Sequence, residues 1–179
     1  MKRMCWISTS IVTLLMLVGC SVSAPKGILP VSQFELQDYL GKWYEIARLD
    51  HSFERGLSNV TAEYSMRDDG GVKVVNRGYS EEEQAWQEAE GKAYFVEDPN
   101  TGHLKVSFFG PFYGAYVIFN LDQDYEYSLI AGPDHSYFWL LSRTPTISKD
   151  KQAELIAKAE AAGFDTDKLI FVDQGMHQD

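Results

Sequence analysis

Between Trp43 and Arg143 the chain is a succession of short segments rich in Val, Ile, Tyr, Phe and Trp, each ended by turn residues. Such side chains suit a pleated, half-buried surface. Eight segments can be counted, over 43–50, 59–66, 72–79, 91–96, 104–109, 116–121, 125–131 and 137–143. Asp69-Gly70-Gly71, Asp98-Pro99-Asn100 and Gly110-Pro111 supply the backbone freedom that tight turns need. Strands joined in order by short turns form a meander, and closing a meander on itself removes its exposed edges. The pattern predicts an all-β fold, an eight-stranded up-and-down antiparallel β-barrel. After Pro145 the period changes to that of a helix. Ser148 can cap it, Leu155, Ile156, Ala159 and Ala162 share one face, Gly163 can end it and Phe164 can fold back on it. One C-terminal α-helix packed outside the barrel is expected, then a short ninth strand over 169–172. A helical turn over 34–40 leads into the first strand.

That first strand starts at Gly41, which allows a sharp bend. Strict alternation puts Trp43, Glu45, Ala47 and Leu49 on one face and Tyr44, Ile46 and Arg48 on the other. A large indole followed by smaller side chains suits a cavity plugged at one end; an ordinary strand with a core Trp is the alternative. Tyr137, Trp139 and Leu141 alternate onto the same face as Arg143.

The Gly-x-Trp of Gly41 and Trp43, with an Arg at the end of the last barrel strand, resembles the lipocalin family. In that family the Arg lies across the Trp and closes the barrel floor, so the resemblance gives Gly41, Trp43 and Arg143 that role. The strings YEIARLDHSFERG (44–56), GKAYFV (91–96), KVSFFGPFYG (105–114) and LLSRTPTIS (140–148) are similar to the bacterial outer-membrane lipoprotein members. The family's middle motif survives only as Asp122-Gln123-Asp124-Tyr125. The resemblance covers 34–172 and implies a carrier of fatty acids or (lyso)phospholipids in the cell envelope.

The formal net charge of −10 excludes nucleic acid as a partner, because phosphate binding needs a basic surface. It also argues against electrostatic adhesion to anionic lipid. Attachment to a membrane must then be covalent or inserted. Lys2 and Arg3 precede an apolar run over 11–18 that is short for a spanning helix. The run ends in Leu17-Val18-Gly19-Cys20, which resembles a lipobox, where the Cys is diacylated and becomes the new N-terminus. The expected organisation is a lipoprotein signal peptide over 1–19, a lipidated tether over 20–32 that is mobile over 21–28, and one barrel domain over 33–179. Ser21 after the Cys is similar to sorting to the outer membrane of a Gram-negative bacterium. Cys5 leaves with the leader and Cys20 carries lipid, so thiol nucleophiles and Cys-ligated metals are excluded from the barrel. Losing Lys2 and Arg3 lowers the basic side chains from 16 to 14 against 26 acidic ones, a charge of −12.

Alternation carried around the barrel gives a ligand-binding set of Ala47, Ala62, Tyr64, Val74, Asn76, Ala93 and Phe95. Val106, Phe108, Tyr116, Ile118, Tyr137 and Trp139 complete it, with Tyr113 in the aromatic loop of Gly110–Gly114. The lining is mostly apolar, with Ala47, Ala62 and Ala93 leaving room. Alternation admits no Lys or Arg except at the floor, so a ligand's polar end is expected at the rim by Arg55 and Tyr113. The long loop after the first strand, His51 to Leu57, reads as a lid. No catalytic motif, metal cluster or cofactor signature appears, and the four His are read as solvated loop residues. A lipid-modifying enzyme using Glu45 or a Tyr, an adaptor presenting Phe112 and Tyr113, and a homodimer stay open.

Overall fold

The computed structural model describes residues 22–177; the expected leader over 1–19 and Cys20 lie outside them. The strands are β1 (Gly41–Arg48), β2 (Leu57–Met66), β3 (Val72–Ser80), β4 (Ala85–Phe95), β5 (His103–Ser107), β6 (Gly114–Leu121), β7 (Tyr127–Ala131) and β8 (Phe138–Ser142). Each pairs antiparallel with the next, and β1 pairs with both β2 and β8. The barrel is therefore closed. A ninth strand, β9 (Ile170–Phe171), is added outside against β1. Loops 67–71, 96–102 and 122–126 lie at one end, which α1 (Leu36–Tyr39) covers; the other end is the mouth.

Helix α2 (Lys149–Ala161) begins where Ser148 accepts a hydrogen bond from the Lys151 amide. It ends at Gly163, whose φ of +92° suits glycine. Phe164 then returns, its amide bonded to the Ala159 carbonyl and its ring against Phe119 and Phe138. Leu155, Ala159 and Phe164 bury an outer core against Ile46, Val117, Leu129 and Leu140. A second core fills the barrel around Trp43, Val72, Leu104 and Leu141.

Strict alternation fails in one place. Glu45 pairs with Leu141, but Ala47 pairs with the adjacent Leu140, so Ile46 is an extra residue and β1 bulges. A bulge reverses the faces beyond it. Ala47 therefore does not enter the barrel: it is fully buried in the outer core under α2. Arg48 pairs with Trp139 and turns inward in its place.

Residues 22–32 are not the free tether expected. The Val22 carbonyl meets His103 Nε2 at 2.8 Å, Ile28 is buried in the outer core, and Val31 exchanges backbone hydrogen bonds with Gly102 and Ile118. Apolar side chains at Ala24, Ile28 and Val31 give this segment a reason to pack. The C-terminal segment closes a gap. β1 and β2 pair only over 41–44 of β1, and above that Gln174 Nε2 donates to both the Glu45 and Val60 carbonyls, at 2.7 and 2.8 Å.

Candidate functional site

The floor is built from backbone carbonyls gathered by one side chain. Arg143 Nε donates to the Tyr125 carbonyl, Nη1 to those of Leu40 and Lys42, and Nη2 to that of Asp38, at 2.7–3.1 Å. Its guanidinium lies 3.9 Å from the centre of the Trp43 ring. Trp43 Nε1 donates to the Tyr39 carbonyl at 2.9 Å. Gly41, at φ +92°, lets the chain turn beside the guanidinium, 3.5 Å from where a Cβ would stand. Just above, the hydroxyls of Tyr39 and Tyr64 each lie 2.8 Å from that of Tyr116. Burial pushes Tyr39 up to about 12 and Tyr64 and Tyr116 well above the usual tyrosine range. These phenols stay neutral and serve as hydrogen-bonding groups.

Over this floor is a cavity of about 900 Å³ that opens at the mouth. Ala62, Tyr64, Val74, Asn76, Ala93 and Val106 line it, as do Phe108, Tyr116, Tyr137 and Trp139. Phe95 and Ile118 belong to the inner core but lie beneath the cavity surface; Phe95 packs on Phe34. Tyr113 borders the mouth, with its ring turned toward Tyr94 and Lys105 on the outer face. Arg55 is not part of the cavity. It is exposed and paired with Asp50 at 2.6 Å.

The polar part of the cavity is the wall where β1, β8 and the His51–Gly56 loop meet. Arg48 is 1% exposed; its Nη1 donates to Glu45 Oε1 at 2.8 Å and its Nη2 to the Glu54 carbonyl at 2.7 Å. Glu54 Oε2 accepts from Trp139 Nε1 at 2.9 Å. Burial raises both carboxyls above the ordinary carboxylate range, and for Glu45 the nearby Glu54 adds to the rise. His51 is not solvated either. Its ring is stacked between Phe53 and Tyr137, each 5.2 Å away, and burial pushes it down to about 4. The alternation argument missed Arg48, His51 and Glu54. The signal available was charge at the end of an otherwise apolar strand and in the loop that follows it, with Glu45 and Arg48 three residues apart in β1 and Glu54 in the loop.

A model of a lipocalin-like domain matches residues 34–174. The chain belongs to the lipocalin family. The outer membrane lipoprotein Blc of Vibrio cholerae is 59% identical over 160 residues, covering 89% of this chain and 93% of that one. Blc of Escherichia coli is 53% identical, covering 89% and 90%. A temperature-induced lipocalin of Arabidopsis thaliana is 33% identical over 78% of each chain. Among solved structures, insecticyanin of the tobacco hornworm superposes with a TM-score of 0.67 at 20% identity, covering 84% of this chain and 86% of its own, a likeness of fold. These relatives make the protein a lipocalin of the Blc type, at the outer membrane and not an enzyme.

Proposed function

We propose that this lipocalin holds one single-chain lipid, a fatty acid or a lysophospholipid, and is anchored through acylated Cys20. The observation that carries the reading is the cavity of about 900 Å³, apolar on its β3–β6 side and floored by Trp43. Small-molecule sites occupy ~300–1,000 Å³. Burying a methylene is worth ~0.8 kcal/mol, so a dozen would give roughly micromolar binding after the costs of association. The tail points toward Trp43 and the polar end toward the mouth.

Ala93→Trp tests this. Ala93 is buried on the cavity wall, and an indole there takes the space of several methylenes. The acylated protein, held in amphipol, is titrated with a fluorescent fatty acid, with circular dichroism to check the fold. Affinity should fall more than tenfold. A folded variant that binds as tightly as the unmutated protein would remove the ligand from the barrel.

A further inference from the structure

Among the described residues the buried carboxylates are Glu45 and Glu54, and both face the cavity. One guanidinium answers them. Arg48 gives Glu45 a hydrogen bond, but its second nitrogen goes to the Glu54 and Leu57 carbonyls and not to the Glu54 carboxylate. Glu54 has Trp139 Nε1 on one oxygen; its other oxygen, and Glu45 Oε2, accept nothing from a described residue. Neighbouring groups cannot balance the charge. His51 is 3.7 Å from Glu54 Oε2, locked between two rings and neutral. Arg77, at the cavity's edge, is exposed and lies over Trp86 at 4.2 Å.

Two carboxylates against one cation leave one negative charge in excess in an apolar chamber. A buried charge of that kind either keeps a proton or takes a cation. The surroundings favour the second when a cation is offered: Phe53, Tyr137 and Trp139 border the same part of the cavity, and aromatic rings attract ammonium groups. A fatty-acid anion meets the opposite situation, since its carboxylate faces two others, while both Nη groups of Arg48 are engaged and its unpartnered Nε is buried away from the cavity lining.

We propose that the wall formed by Glu45, Glu54 and Trp139 is a subsite for the ammonium group of a single-chain amphiphile. The cavity thereby selects amine-bearing heads over fatty-acid anions. The inference rests on the carrier reading above and names the head chemistry for it. The ammonium hydrogens go to the open oxygens of Glu54 and Glu45, and the tail runs along the apolar side past Val106 and Ala93.

The test uses three ligands with one tail: dodecylammonium, dodecanoate and dodecanol. Each competes at pH 7 with a fluorescent probe bound to the acylated protein in amphipol. Dodecylammonium should displace the probe at tenfold lower concentration than dodecanoate. Glu54→Gln, which keeps an oxygen for Trp139 Nε1, should bring that ratio toward one by weakening dodecylammonium alone; Glu54→Asp should keep the preference. Dodecanol should bind both forms equally, which separates charge from packing. If dodecanoate binds the unmutated protein as well as dodecylammonium, or if folded Glu54→Gln keeps the ratio, the subsite is refuted while the carrier reading stands. If none of the three displaces the probe, both readings fall. The comparison on the unmutated protein decides the matter even if Glu54→Gln does not fold.

Discussion

Arg143→Ala should destabilise the barrel by about 3–4 kcal/mol, of which only part belongs to Trp43. The guanidinium makes four hydrogen bonds to carbonyls at the closed end. Those to Asp38 and Lys42 are exposed, and water replaces them in the variant. Those to Tyr125 and Leu40 are part-buried and count at ~1 kcal/mol each. The approach to the Trp43 ring at 3.9 Å adds ~1–2 kcal/mol for a partly desolvated pair. A double-mutant cycle isolates this last contribution. Trp43→Leu is the better partner, because Ala would open a cavity costing ~3–5 kcal/mol and unfold much of the double variant. Urea unfolding followed by far-ultraviolet circular dichroism gives the four stabilities. The coupling should be about 1–2 kcal/mol. A coupling below ~0.3 kcal/mol, within ordinary additivity, would mean that the ring and the guanidinium do not interact and that the floor is held by carbonyls alone.

Two further outcomes are expected. His51 is held neutral in the folded chain, down to about 4 from 6.5, so the stability it confers is present above pH 6.5 and is lost as pH falls toward 4. Relative to His51→Phe, the unmutated protein should lose on the order of 1–2 kcal/mol between pH 7 and pH 4, the raised carboxyls of Glu45 and Glu54 being present in both proteins; parallel stability curves would disprove the buried neutral imidazole. Cys20→Ser should leave unprocessed or unanchored protein, and a variant that stays in the membrane through a high-salt wash at unchanged mass would rule out acylation there.

The meander was legible because alternation and turn residues recur often enough to support one another. The helix cap at Ser148 and the return at Gly163 and Phe164 were legible because capping is local chemistry. The floor was legible from family resemblance more than from periodicity. The polar wall was not. A single extra residue at Ile46 inverts every later side chain of β1, and no residue type in Glu45-Ile46-Ala47-Arg48 announces a bulge. That one inversion exchanged Ala47 for Arg48; Glu45 already lay on the inward face, and Glu54 went unseen because it sits in the loop beyond β1, where alternation says nothing. His51 was missed for a related reason: its burial depends on Phe53 and Tyr137 meeting across two loops, a contact that sequence distance conceals.

The packing of residues 22–32 on the barrel has a consequence for how the molecule stands. Left free, a stretch of that length could span ~35 Å. Instead it is fastened at Val22 beside His103, the closed-end residue of β5. Cys20 is two residues further on, a reach of at most ~7 Å. The Phe109 tip lies beyond the other end of β5, a strand about 17 Å long. Were Cys20 acylated as proposed, the anchor would hold the molecule like a cup glued by its base. So anchored, the mouth could not be lowered onto the leaflet that carries the anchor without laying the whole barrel on its side, and in the upright posture its opening would face away from that leaflet.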